Sequence, residues 1–138
     1  NIQAALLNVK WKYYPQMLER RREIAQMFID GLTPLEEEFP RLLPIYGPGD
    51  VIQEFILRIG NDAIRKQFKE HMDRYGVELL IRETTPNHRV KVLGLDHFSL
   101  PVTENISRDA ARLPVYPELT NAEVNYIIKS IIAFYEKQ

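Results

Sequence analysis

Apolar positions recur with the period of a helix at both ends of this chain and with that of a strand near its middle. Ile2, Ala5, Leu6 and Val9 fall at i, i+3, i+4 and i+7, the spacing of one helix face. Pro15 suits the first turn of a helix but not its interior. A bend is therefore predicted near Tyr13-Tyr14, with a second helix from about Pro15 to Asp30 that closes at Gly31. Met17, Ile24, Phe28 and Leu32 form its buried stripe. From Thr33 to Asp50, four of the nine prolines and two glycines break every period, which marks an irregular connector. Val51 to Ile59 alternates with apolar residues on both faces, as in a central strand covered on both sides. Asn61 caps a helix that carries Ile64, Phe68, Met72 and Tyr75 and stops at Gly76. Val77 to Ile81 follows as a second strand, completing a strand-helix-strand unit. Thr84 to Pro101 shows no period, and a loop of that length in a compact domain is functional or ordered by a partner. A short helix is predicted from Glu104 to Ala111, with Ile106 and Ala110 inward. Leu113 to Pro117, held between prolines, reads as an edge strand or strand end. Thr120 to Glu123 is a capping box. It opens a last helix whose stripe of Val124, Ile127, Ile128, Ile131, Ile132 and Tyr135 is expected to cover the sheet.

These elements describe an α/β domain of α+β-like layout, a short sheet covered by helices, spanning residues 1–138. Hydrophobic residues make up 45% and charged residues 27%, ordinary for a globular chain. The formal net charge of −1 argues against a nucleic-acid partner. No apolar run approaches the ~18 residues of a membrane span. No secretory leader pattern is present, so the expected compartment is the cytoplasm. The chain opens without Met and already inside a helical pattern, and that apolar face needs something to pack on. We therefore expect a piece of a longer protein.

Candidate chemistry is sparse. His71, His88 and His97 lack the close spacing of a zinc site, and there is no cysteine to complete one. No serine sits in a strand-turn-helix elbow, no glycine-rich phosphate loop occurs, and Gly47-Pro48-Gly49 reads as a turn. Glu19-Arg20-Arg21-Arg22-Glu23 could bind an anion, but mixed-sign runs of this kind usually form a solvated helix face. The best ligand edge is Thr85 to Arg89, at a strand end, where Arg82, Asn87, His88 and Arg89 gather. Arginine forks suit phosphates, and histidine can donate to a hydroxyl or phosphate oxygen. The competing reading has His88 satisfying loop carbonyls and Arg82 pairing with Glu83.

Four segments carry a family likeness. Asn1-Ile2-Gln3-Ala4-Ala5-Leu6 opens the first helix. Leu18-Glu19-Arg20-Arg21-Arg22-Glu23-Ile24-Ala25 is similar to an I-E-R-R-R-E-I-A helix. Thr85-Pro86-Asn87-His88 matches a T-P-x-H element. Leu113 to Val124 follows L-P-hydrophobic-Y-P-x-L-T-x-x-E-V. Together, over essentially the whole chain, they resemble the C-terminal part of the DegT/StrS sugar-nucleotide aminotransferases.

The resemblance implies the small C-terminal domain of a fold-type I pyridoxal-phosphate enzyme, with residues 1–31 as connecting helices from a missing large cofactor domain. It implies a nucleotide-linked keto-sugar as substrate, bound with the help of His88, Asn87, Arg82 and Arg89. It also implies a homodimer, with no nucleic-acid or membrane partner. The family's cofactor lysine lies upstream of residue 1. None of Lys10, Lys12, Lys66, Lys69, Lys91, Lys129 or Lys137 matches its motif. Pyridoxal phosphate is thus expected in the full-length protein and not on this chain alone, which is expected to be inactive by itself. Arg82-Glu83-Thr84 replaces the family's usual His-Tyr-Pro, and Ile52-Gln53 its Tyr-His pair, which leaves the sugar open. The alternatives are a non-catalytic α/β interaction module and a relative with a dehydratase or regulatory role.

Overall fold

A computed structural model describes residues 1–40, 42–47, 49–82 and 85–137. Helix α1 runs Ile2–Trp11 and α2 runs Tyr14–Glu36. Asn1 caps α1 by accepting from the Gln3 amide. The predicted bend lies between the two helices, where the Trp11 and Tyr14 rings stack with centroids 5.3 Å apart. Strand β1 (Phe55–Arg58) is followed by α3 (Asp62–Arg74), capped by Asn61 as predicted. Two short 3₁₀ turns, Asn87–Arg89 and Lys91–Leu93, interrupt the stretch expected to be structureless. Helix α4 (Pro101–Asp109) leads directly into β2 (Ala110–Leu113), and α5 (Asn121–Tyr135) closes the chain behind its capping box.

Several predicted boundaries move. Helix α2 continues through Gly31 to Glu36, so Gly31 is not a stop. A Cβ there would come within 2.8 Å of the Ile128 side chain of α5, and glycine is what lets the two helices approach. Strand β1 keeps only four of the nine predicted residues, and its burial alternates: Phe55 and Leu57 are buried, Ile56 and Arg58 half-buried. It is not the central strand. β1 and β2 pair antiparallel, with Ile56 opposite Arg112. Arg112 also bridges Leu80 on its other side, the one sheet contact the predicted strand 77–81 makes among the described residues. β2 therefore lies between them. Leu113 is a strand end, and Pro114 follows it. Helix α4 starts three residues early, at Pro101, and Ile106 lies 39% exposed instead of inward. Ala110 is buried, but in the strand.

The core sits between the sheet and the α2, α3 and α5 helices. Phe28 of α2 meets Phe55 of β1 at 5.1 Å, and Phe68 of α3 meets Phe134 of α5 edge-on at 5.1 Å. Val124, Ile127, Ile128, Ile131 and Tyr135 are buried, with Ile132 packed partly against them, so the predicted stripe of α5 forms the far wall. The charged run of α2 pairs within itself as a mixed-sign run does, Arg20 with Glu23 at 2.9 Å and Arg22 with Glu19 at 3.5 Å, with both glutamates exposed, but its arginines are half-buried and reach further. Arg20 donates to the Leu119 carbonyl at 2.6 Å, Arg21 to the Val115 carbonyl at 2.6 Å and Arg22 to the Asp50 carbonyl at 3.3 Å. The three guanidinium groups tie irregular segments to α2, filling acceptors that no ladder reaches. Helix α1, by contrast, buries nothing: Ile2, Leu6, Leu7, Val9 and Trp11 are all exposed.

Candidate functional site

The edge that begins at Leu80 is built by three constraints. The Leu80 amide and carbonyl exchange hydrogen bonds with Arg112 at 3.1 and 3.2 Å, which fixes where the chain leaves the sheet. Arg82 follows, exposed and without a hydrogen bond or ion pair among the described residues. It borders an open cleft of about 530 Å³ over the sheet, shared with Arg21, Gln53, Glu54, Glu78 and Arg112. Arg112 donates to Glu54 at 2.6 Å in that wall. Glu83 and Thr84, including the proposed Arg82–Glu83 pair, lie outside the described residues.

Beyond them the chain tightens into the Asn87–Arg89 turn, closed by the Arg89 amide on the Pro86 carbonyl at 2.8 Å. The turn sends consecutive side chains in different directions. Asn87 is exposed, while His88 is turned inward and only 4% exposed. Asn87 faces a second cleft of about 300 Å³, whose near wall is Thr85 and Pro86 and whose far wall is Thr103, Ile106 and Ser107 of α4. His88 Nε2 lies 3.0 Å from Glu104 Oε1. A carboxylate can only accept, so Nε2 carries the proton. Arg89 donates to the same oxygen through Nη2 at 2.8 Å and Nε at 3.2 Å, and Arg108 stands 3.9 Å from Oε2.

Glu104 is therefore held by three cationic or donor side chains. The His88 hydrogen bond, followed by that of Arg89, lowers its pKa from the ordinary 4.5 to about 2. A carboxyl whose folded pKa is depressed contributes stability above its unfolded pKa and loses it as pH falls toward the folded value. The stability advantage of wild type over Glu104→Gln, measured by urea unfolding, should thus be constant above about pH 5 and shrink as pH falls toward about 2. A difference that stays constant down to pH 2 would show that the clamp does not form in solution.

Of the four residues assigned to substrate from sequence, Arg82 and Asn87 open onto clefts, while His88 and Arg89 are engaged by Glu104. Glu104 itself was missed. It is one of two acids, with Asp96, in a stretch that also holds His88, Arg89, Lys91, His97 and Arg108, and that imbalance was the available signal. Among the described residues, no group of three or more potential ligands could hold a metal ion. No helix among the described residues is long and apolar enough to cross a membrane. A third cleft, about 530 Å³, lies at the start of α2 between Tyr14, Met17, Val51 and Tyr116. No lysine lines any of these clefts.

The DegT/DnrJ/EryC1/StrS aminotransferase family model matches residues 1–132. The chain belongs to this family. It is 27% identical to a dTDP-3-amino-3,4,6-trideoxy-alpha-D-glucose transaminase of Micromonospora megalomicea, over 94% of this chain and 36% of that protein. It is 30% identical to the erythromycin biosynthesis sensory transduction protein EryC1 of Saccharopolyspora erythraea, over 96% of this chain and 36% of that protein. Its fold superposes on S. venezuelae DesV, solved in complex with a ketimine intermediate, with a TM-score of 0.84 and 25% identity, covering 97% of this chain and 36% of that one. The chain spans little more than a third of the length of these relatives. The helix-rich layout with a short sheet is accordingly that of a part of a DegT-family aminotransferase.

Proposed function

We propose that this chain is the small, substrate-facing domain of a longer pyridoxal-phosphate aminotransferase that acts on a nucleotide-linked keto-sugar. The observation that carries the proposal is the family match over residues 1–132, together with a relative named as a dTDP-amino-sugar transaminase. The cofactor would supply the electron sink for amino transfer and would sit outside this chain. The residues here bind and orient. Arg82, exposed and unengaged among the described residues, offers a planar fork for a diphosphate. Asn87, with the hydroxyls of Thr85, Thr103 and Ser107 around the same cleft, offers neutral donors and acceptors for sugar hydroxyls. His88 and Arg89, both placed at the substrate from sequence, here hold the turn that presents Asn87.

The longer protein would be a homodimer in the cytoplasm, with the apolar face of α1 covered by the large domain or by the partner subunit. A regulatory reading draws support only from the names of relatives, a sensory transduction protein and a pleiotropic regulatory protein.

The experiment is borohydride trapping with pyridoxal phosphate, followed by mass analysis, on the full-length protein and on residues 1–138. One stoichiometric label is expected in the full-length protein, on a lysine outside this chain, and none on residues 1–138. Stoichiometric label on Lys10, Lys66, Lys91 or any other lysine of this chain would overturn the assignment, as would a full-length protein that takes no label.

A further inference from the structure

We infer that Glu104 is a positioning residue for the sugar end of the substrate: from α4 it fixes the turn that presents Asn87 and so sets the width of the cleft between them. The inference rests on the ligand edge proposed above and adds a residue that no motif in the sequence marks.

Three observations carry it. First, the two residues that follow Asn87 both end on one carboxylate oxygen, with His88 Nε2 at 3.0 Å and Arg89 Nη2 at 2.8 Å. A three-residue turn has little stiffness of its own, and a shared acceptor on a separate element removes its freedom to pivot. Second, the same helix supplies the far wall of the cleft, through Thr103, Ile106 and Ser107. Glu104 lies between Thr103 and Ile106 in sequence, so the clamp and the opposing wall move as one body. Third, α4 is itself anchored. Arg65 of α3, 5% exposed, donates to the Ser107 carbonyl at 2.8 Å, and Asp109 takes the Arg58 fork of β1 at 2.6 and 2.7 Å.

The geometry also explains why a buried histidine sits in a ligand loop. His88 is enclosed and its Nε2 proton is used, so it is suited to hold the turn and not to touch a ligand. The low pKa of Glu104 agrees with this arrangement, since its charge persists throughout the range in which an aminotransferase works. The titratable and charged groups that face Glu104 are His88 and Arg89 from the turn and Arg108 from its own helix.

The test uses the full-length protein, an amino-acid donor and a dTDP-linked keto-hexose as probe. Glu104→Ala should raise KM for the nucleotide-sugar about tenfold, the loss of one charge-assisted hydrogen-bond set. The KM for the amino donor and kcat at saturation should stay within about twofold. Glu104→Gln retains one acceptor for His88, so it should fold if Glu104→Ala does not and give an intermediate rise of about threefold. The decisive readout is a cycle with Asn87→Ala. If Glu104 acts through Asn87, the double variant Glu104→Gln/Asn87→Ala should bind no worse than Asn87→Ala alone. Additive losses would overturn the positioning role, as would a fall in kcat and in both KM values together. If Asn87→Ala and Arg82→Ala each keep wild-type KM, the ligand edge is wrong and this inference falls with it. If they weaken binding and the Glu104 variants do not, the edge stands and the inference alone is refuted.

Discussion

Phe28→Ala should lower the stability of the chain by about 4 kcal/mol, the usual cost of emptying a fully enclosed aromatic site. Phe28 is 0% exposed and carries the contact between α2 and the sheet through Phe55 at 5.1 Å. Nothing nearby is free to fill the space, because Ile24, Leu32 and Leu57 are themselves fully buried. Domains of this size have total stabilities of roughly 5–15 kcal/mol, so such a loss brings the variant near the threshold of unfolding at room temperature. Leu6→Ala on α1 supplies the contrast. Leu6 is 59% exposed, and its truncation should change stability by less than about 0.5 kcal/mol in residues 1–138. Urea unfolding of both variants separates the two helices: α2 belongs to the core and α1 stands apart from it. Equal losses at the two positions would show that α1 packs on the domain in solution.

Asp109→Ala should cost about 3 kcal/mol, toward the lower end of what breaking a buried ion pair costs. Asp109 is 6% exposed and receives both arms of the Arg58 guanidinium, Nε at 2.6 Å and Nη2 at 2.7 Å. Its backbone carbonyl also takes the Ile59 amide at 2.9 Å. The carboxylate thus sits where α4 becomes β2 and fixes that junction to the end of β1. Removing it leaves a half-buried guanidinium without its counter-charge, and because Arg58 keeps partial access to water the cost does not reach the upper limit. Asp109→Asn preserves the shape and one acceptor, so it should cost less, about 1–2 kcal/mol. A chemical-denaturation series on the two variants checks the order. An Asp109→Ala protein as stable as wild type would mean that the pair contributes no net stability.

The helices with strong local signals are where the sequence predicted them. The Asn61 cap and the Thr120–Glu123 capping box open α3 and α5, and the α5 stripe forms a wall of the core. The sheet was harder to place, because register and strand order are set by partners distant in sequence. Ala110 and Ala111 favour a helix locally, yet pairing with Arg58 and Leu57 draws them into β2. Gly31 looked like a terminator, and only the position of Ile128 reveals its use as a contact point between helices. At the candidate site, the chemical character of the Thr85–Arg89 segment was readable, since arginine, histidine and asparagine gather there. The direction of each side chain was not. That depends on a 3₁₀ turn and on Glu104, fifteen residues further along, which has no periodic relation to the turn. The mixed-sign pairing of the α2 run was legible, but its other partners were not: they are carbonyls of irregular segments, which leave no residue-type signature.

The most direct measurement is amino transfer by the full-length protein carrying this chain. It is incubated with pyridoxal phosphate, an amino-acid donor and a panel of dTDP-linked keto-sugars, and the products are identified by mass. The account predicts at least one amino-sugar nucleotide formed with matching consumption of the donor, and a KM for the sugar nucleotide that rises when Arg82 and Asn87 are both replaced by alanine. A full-length protein that binds a sugar nucleotide but transfers no amino group to any of them would contradict it.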